Sequence, residues 1–188
     1  MVINEKALLQ RMREAYKNQG YTVAVEDGQM WINGGFWLIW MDADEVSNEV
    51  LSLITLHTRK TLQEHEAYKV VKGDDGPIVQ KLLINVAMEV AQTMGRQLEL
   101  RGENDVEQML KTDLRYDGCG VWQSNETLCV MLINPRYEAM IQQKKDVTLL
   151  GNGLYIEGEI SGAWVMKVDK KNDAGKLAHL AGIRWTMA

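Results

Sequence analysis

The chain has 188 residues, of which 46% are hydrophobic and 25% are charged, and these proportions are those of an ordinary globular protein. A chain of this length can bury a core without disulfides or structural metals. The formal net charge of −5 excludes the basic footprint that a general nucleic-acid-binding protein requires.

The first 72 residues predict a helix followed by a small antiparallel meander. Asn4 is the predicted N-cap of a helix over 5–19, which Gly20 ends. Short strands separated by turns that contain glycine follow, at 21–25, 29–33 and 36–41. Acidic residues at 42–45 then open a second helix with one apolar stripe, which extends towards residue 64.

The clearest break in the sequence is G-D-D-G-P at 73–77. This linker separates a helix–meander–helix module over 1–72 from a second module over 78–188. Helices are predicted in the second module at 78–96, 104–114, 134–143 and 173–181. Strands are predicted there at 98–100, 120–123, 128–133, 147–150, 154–160, 163–168 and 183–186. The predicted fold class is therefore α+β, in two small modules with antiparallel strands and hairpins.

The densest aromatic cluster is Q-M-W-I-N-G-G-F-W-L-I-W-M at 29–41, which contains no nucleophile, metal-binding pattern or phosphate-binding loop. Its aromatic side chains are Trp31, Phe36, Trp37 and Trp40. Alternate residues of a strand face opposite sides, so both faces of 36–41 are apolar. Such a strand is either buried on both sides or presents one face as a contact surface. Burial on both sides is the favoured interpretation, and the enrichment of tryptophan where protein interfaces concentrate their binding energy supports the contact alternative.

Acidic residues follow the aromatic cluster directly. Asp42, Asp44, Glu45 and Glu49 are predicted to lie around the start of the second helix, with Asp42 or Asp44 as its N-cap. The pattern D-A-D-E-V after an apolar strand also resembles the first motif of haloacid-dehalogenase-type phosphatases. That resemblance implies a nucleophile at Asp42, an acid/base at Asp44 and Mg²⁺ between the carboxylates. The segment that follows lacks the family's next strand, which ends in Ser or Thr.

Other residues that could bind a metal or take part in catalysis are scattered along the chain. His57 and His65 are eight positions apart, whereas zinc ligands on one helix are typically about three or four apart. No stretch approaches the roughly 18 apolar residues of a membrane span, and the first residues lack the apolar core of a signal peptide. We therefore expect a cytoplasmic protein in which Cys119 and Cys129 are free thiols, with no cofactor, no metal and no membrane partner.

Two segments resemble proteins of mobile genetic elements. Residues 20–37 carry G-Y-x-V-x-V-x-x-G-x-x-x-I-N-G-x-x-W between the two predicted helices. This pattern resembles small accessory proteins of Firmicutes phages and integrative elements, some of which are anti-CRISPR inhibitors of Cas9-type effectors. Residues 133–168 carry I-N-P-R-Y and then G-x-x-x-x-G-E-I-S-G-A-W-V, and are similar to the C-terminal part of tailed-phage major capsid proteins. Both resemblances imply an origin in a mobile element.

The leading hypothesis from the sequence is a non-enzymatic, anti-CRISPR-type protein that binds and inhibits a host defence nuclease. The aromatic cluster would anchor the contact, and the acids at 42–49 or at 103–117 would occupy a basic groove of the nucleic-acid-bound effector. Direct nucleic-acid binding is not expected. Two alternatives remain open, namely a Mg²⁺-dependent phosphatase-like hydrolase at Asp42 and Asp44, and a capsid-like structural subunit.

Overall fold

The computed structural model describes residues 1–73, 78–79, 107–143 and 146–168. These residues form an α+β protein built on antiparallel sheets, which confirms the predicted fold class. The helices are α1 (Glu5–Lys17), α2 (Asn48–Thr58) and the short α3 (Pro135–Glu138), with a 3₁₀ turn at Ala43–Glu45. Among the described residues, no helix is long and apolar enough to cross a membrane.

Eleven strands are described. They are β1 (Tyr21–Glu26), β2 (Gln29–Asn33), β3 (Trp37–Asp42), β4 (Glu66–Val70), β5 (Ile78–Val79), β6 (Met109–Tyr116), β7 (Cys119–Ser124), β8 (Val130–Ile133), β9 (Thr148–Leu150), β10 (Gly153–Glu157) and β11 (Ser161–Met166). Tight turns with positive φ join several of them, as at Asp27-Gly28, where φ is 51° and 73°. Two consecutive positive φ values are typical of the type I′ hairpin turn.

Helix α1 forms as the sequence predicts. The Asn4 side chain accepts a hydrogen bond from the Ala7 N–H and caps the first turn. Leu8 and Met12 lie on the buried face of the helix, at the spacing that places side chains on one side of a helix. The chain leaves the helix through Gly20 at φ 81°, a conformation that favours glycine. The helix ends at Lys17, two residues before the predicted position.

The larger sheet joins strands from both ends of the described chain. Its order is β5-β4-β1-β2-β3-β11-β10-β9, and each neighbouring pair is antiparallel. The pairing of β3 with β11 runs from Trp37 opposite Val165 to Met41 opposite Ser161. Segments 1–72 and 78–188, which the sequence separates at 73–77, therefore contribute strands to one sheet. Residues 74–77 of that linker lie outside the described residues.

One face of this sheet, which we call the inner face, packs on the main hydrophobic core. Ile32 and Ile39 of the sheet belong to the same buried cluster as Leu8 of α1 and Ile54 of α2. The smaller sheet, in the order β6-β7-β8, adds the fully buried Trp122 to that cluster. Helices α1 and α2 and the smaller sheet thus form a second layer over the inner face, in the layered arrangement typical of α+β domains.

The second helix begins later than the sequence predicts. Asp42 is the last residue of β3 and makes no side-chain capping bond to the 3₁₀ turn that follows, while Asp44 lies within that turn. The Ser47 hydroxyl instead caps α2 by accepting a hydrogen bond from the Val50 N–H at 3.3 Å. Ser47 also donates to a Glu5 carboxylate oxygen at 2.5 Å. The predicted capping role of Asp42 and Asp44 is therefore wrong.

Helix α2 is also shorter than predicted. It ends at Thr58, because Arg59 takes a left-handed conformation with φ 58°. The predicted extension to residue 64 does not form, and β4 follows as an unpredicted strand that pairs with β1. Backbone pairing with an existing strand here overrides the helical preference of the local sequence.

Three predictions in the second half also differ from the structure. Ile78–Val79 is strand β5, paired with β4, instead of the start of a helix over 78–96. The predicted helix over 104–114 is wrong where it is described, since β6 pairs with β7 through a turn at Asp117-Gly118 with φ 47° and 78°. Helix α3 ends at Glu138 instead of residue 143. The predicted elements at 80–96, 98–100, 173–181 and 183–186 lie outside the described residues.

Three rings, those of Tyr16, Tyr21 and His57, connect α1, β1 and α2. The rings of Tyr16 and His57 are stacked with centroids 3.8 Å apart, and the Tyr21 hydroxyl lies 2.9 Å from His57 Nδ1. Burial first, and then the charge of Arg13, lower the pKa of His57. The neutral imidazole is thus the form that fits between the two helices and the sheet.

We expect the Ser47→Ala variant to lose about 1–2 kcal/mol of unfolding free energy, because it removes the cap and the contact with Glu5. Asp44→Asn at the exposed predicted cap should change the stability by less than about 0.5 kcal/mol. Urea unfolding of both variants measures the difference. A larger loss for Asp44→Asn than for Ser47→Ala would contradict the observed cap.

We expect His57 to weaken the fold in acid. Its pKa is lower in the folded chain than the value of 6.5 in the unfolded chain, so the unfolded state binds more protons as the pH falls below 6.5, and stability decreases there. His57→Gln should reduce this loss of unfolding free energy, which urea unfolding at several pH values from about 7.5 to 5 measures. His65→Gln is the control, because Glu26 raises the pKa of His65 and its contribution is instead lost as the pH rises.

Candidate functional site

The face of the larger sheet opposite the core, which we call the outer face, carries an aromatic surface. In β2, Met30 and Ile32 belong to the core, so Trp31 between them lies on the outer face. In β3, Ile39 and Met41 belong to the core, so Trp40 lies on the outer face as well. The strand alternation therefore places two of the predicted contact residues on the same surface.

The register extends this surface across four strands. Trp31 pairs with Trp40 with ring centroids 6.3 Å apart, and Trp40 pairs with Gly162 of β11. In the adjacent row, Trp164 of β11 pairs with Tyr155 of β10. Tyr155, Trp164 and Leu150 form a small hydrophobic cluster separate from the main core. Four aromatic side chains thus lie together on β2, β3, β11 and β10, of which Trp40 and Tyr155 are buried and Trp31 and Trp164 are half-buried.

Glycines provide the space in which two of the indoles lie flat. A Cβ atom at Gly162 would be 2.3 Å from Trp40 Nε1, and a Cβ atom at Gly153 would be 2.6 Å from Trp164 Nε1. Both distances are far below ordinary van der Waals contact. The two indole rings therefore cover backbone at these positions, and any larger residue there would displace them.

Hydrogen bonds fix the orientation of the aromatic side chains. Trp164 Nε1 donates to the Leu150 carbonyl at 3.2 Å. Burial, followed by the charge of Glu157, raises the pKa of the Tyr155 hydroxyl, which also interacts with the Trp40 side chain. The hydroxyl is therefore protonated at neutral pH and can donate to Glu157. A surface held in this way needs little ordering when a partner binds.

Carboxylates border the aromatic surface. Glu26 of β1 and Asp42 of β3 both pair with Gln29 of β2, in the row next to Trp31 and Trp40. Glu157 pairs with Gly162 at the other end of the Trp31–Trp40 row. The predicted contact residues Asp44, Glu45 and Glu49 are exposed and follow Asp42 at the same end of β3. The outer face is thus an aromatic surface with an acidic border.

The predicted contact residues do not all share this face. Trp37 is 2% exposed and belongs to the main core, which corrects its expected role as a direct anchor. Phe36 is 52% exposed and stacks on Tyr137 of α3. Phe36 lies just before β3, and Asp42 is the last residue of that strand. At the usual rise per residue of a strand, the two are about 20 Å apart. Trp31, Trp40 and Asp42 lie on the outer face, and Phe36 and Trp37 do not. Trp40 is 9% exposed, so its expected role as a direct anchor is corrected as well, and it supports the half-buried Trp31 beside it.

The sequence analysis missed Tyr155, Trp164 and Glu157 as site residues. The strands that carry them were predicted, but which strand lies beside β3 depends on a pairing between segments that are distant along the chain. A local signal did exist, since Gly162 and Gly153 interrupt strands that also carry large aromatic residues. Glycine inside a strand indicates a close approach of another group.

The geometry gives little support to catalytic chemistry. Strand β3 is antiparallel to both of its neighbours, whereas the phosphatase resemblance implies a strand within βαβ units. Among the described residues, no three His, Cys, Asp or Glu side chains are placed to hold a metal ion. Cys119 and Cys129 are free, and burial raises the pKa of both thiols, which disfavours the reactive thiolate.

We expect Gly162→Ala to destabilise the fold by about 1–3 kcal/mol, because the added methyl group meets the Trp40 indole. The same change in a Trp40→Leu background should cost clearly less, since the smaller side chain leaves room. Urea unfolding of the wild type, both single variants and the double variant measures the coupling. Equal costs in the two backgrounds would show that the clash is with the Ile156 carbonyl, 3.0 Å from the same position.

Comparisons with known proteins do not identify a relative of this chain. No protein-family model matches the sequence, no curated protein matches it, and no solved structure matches the fold. The functional interpretation therefore rests on the side chains and geometry of the chain itself, and above all on the outer face.

Proposed function

We propose that this chain is a non-enzymatic binding protein that attaches to a protein partner through the outer face. The observation that supports this proposal is the presence of Trp31, Trp40, Tyr155 and Trp164 on one face of the larger sheet. Tryptophan and tyrosine dominate the energetics of protein interfaces because they bury a large area at low entropic cost. Trp31 and Trp164 are half-buried, so part of each ring is accessible to a partner.

The acidic border supports a basic partner surface. Asp42 and Glu157 lie beside the tryptophans, and Asp44, Glu45 and Glu49 add exposed negative charge at the Asp42 end. An arginine or lysine of the partner could stack on an indole while a neighbouring carboxylate accepts its hydrogen bonds. The opposite charges would chiefly accelerate association and select the partner.

The partner class that we propose is a host defence nuclease of the Cas9 type, with this chain as its inhibitor. Such enzymes hold nucleic acid in positively charged channels. A rigid acidic and aromatic surface bound at a channel of that kind would exclude the nucleic acid. This narrower part of the proposal comes from the resemblance of residues 20–37 to anti-CRISPR-type accessory proteins, and from the charge of the outer face.

A binding experiment with a purified Cas9-type effector and its guide RNA tests the proposal. We expect salt-sensitive binding of the wild-type chain and inhibition of DNA cleavage. Trp31→Ala and Trp164→Ala should each raise the Kd by about tenfold or more. Kinetic traces at several salt concentrations should show that salt mainly slows association. Urea unfolding confirms that each variant remains folded.

Phe36→Ala is the matched control, because Phe36 is an exposed aromatic residue outside the outer face. It should bind like the wild type. Loss of binding in Phe36→Ala with normal binding in both tryptophan variants would overturn the assignment of the face. Absence of binding to any such effector would reject the partner class, and large assemblies of the chain alone in light scattering would favour the capsid-like alternative.

A further inference from the structure

A second candidate site lies in the layer on the other side of the sheet, in a cleft of about 200 Å³ between the end of α1 and the start of α3. The cleft walls are mostly polar, and the side chains that matter for its chemistry are Arg11, Glu14, Asn18, Trp37, Arg136 and Tyr137. Cavities for drug-sized ligands are larger, at roughly 300–1,000 Å³. The cleft can therefore hold a small molecule with a single ring.

Arg11 presents a fixed guanidinium group to the cleft. The residue is buried, and two of its nitrogens donate to the two carboxylate oxygens of Glu14, one of them at 2.7 Å. A guanidinium group carries five N–H groups in a rigid plane, so three remain for other acceptors. The pairing with Glu14 thus fixes the orientation of Arg11 without using all its donors.

Arg136 supplies a positive charge that the described part of the chain does not offset. It is exposed, and none of the described residues forms an ion pair with its guanidinium group. With Glu14 offsetting Arg11, the charged groups that line the cleft sum to one positive charge. At the end of α1, the Glu14 carbonyl accepts a hydrogen bond from the Asn18 side chain and the Ala15 carbonyl accepts one from the Gly20 N–H, so these two carbonyls do not compete for Arg136.

Aromatic rings form the apolar part of the cleft. Tyr137 lines the cleft, and the exposed Phe36 stacks on Tyr137 with ring centroids 6.2 Å apart and ring planes 14° apart. The buried Trp37 also contributes to the wall. We propose that this cleft binds a small oxyanion carried on a single flat ring, with Arg136 and Arg11 holding the anion and Tyr137 covering the ring. This site is independent of the outer face and of its proposed partner.

Isothermal titration of the full chain with phenyl phosphate, benzoate and the neutral benzyl alcohol tests the site. We expect measurable binding of one or both anions and none of the alcohol. Arg136→Gln should weaken binding at least about tenfold, as loss of a charge-assisted hydrogen bond predicts. Preference for phenyl phosphate over benzoate would identify the anion as phosphate, and the reverse would identify it as carboxylate.

Arg115→Gln is the control for the loss of one positive charge, because Arg115 is an exposed residue of β6 away from the cleft. It should bind the anions like the wild type. Equal weakening in both variants would reduce the effect to overall charge and overturn the site. Binding of benzyl alcohol as tightly as the anions would also overturn it. So would the absence of binding by either anion with a Kd of about 10 mM or lower, which corresponds to a binding free energy of about −3 kcal/mol.

Discussion

The pairing of β3 with β11 is the constraint on which the rest of this structure depends. Among the described strands, it is the pairing that joins the N-terminal meander to the hairpin of β10 and β11. Without it, the meander would end at an apolar strand whose backbone groups lack partners on one side. With it, one continuous sheet has an inner face long enough to cover both helices and the smaller sheet. The outer face exists for the same reason, since its aromatic residues come from both sides of this pairing.

Strand alternation and glycine together determine what the two faces become. The run 37–41 is apolar at every position, and alternation divides it between the core and the outer face. On the core side, Trp37 packs among aliphatic residues. On the outer face, Trp40 covers Gly162, so the ring lies against backbone, next to Tyr155. The two side chains are chemically the same and both are buried, but Trp37 packs within the main core whereas Trp40 packs on the outer face beside the half-buried Trp31.

The parts of the fold that were predictable from the sequence depend on local rules. Asn4 and Gly20 delimit α1 by capping and by backbone conformation, and the hairpin turns follow from the placement of aspartate and glycine. The failures arise from contacts between distant segments. Strand β6 has residues compatible with a helix but pairs with β7, and the turn signal Asp117-Gly118 was the local sign of that outcome. For the candidate site, Trp31 and Trp40 were identified from composition, whereas Tyr155 and Trp164 join them only through the register of β11.

The same β3–β11 pairing has a consequence for synthesis of the chain on the ribosome. The meander of β1 to β4 can form once residue 70 has emerged, but β11 begins only at residue 161. At a translation rate of roughly 5–20 residues per second, β3 remains an unpaired edge of tryptophan, leucine and isoleucine for on the order of ten seconds. Such an edge is prone to associate with other nascent chains. The yield of folded protein in cells should therefore depend on translation speed and chaperone supply more than its final stability would suggest.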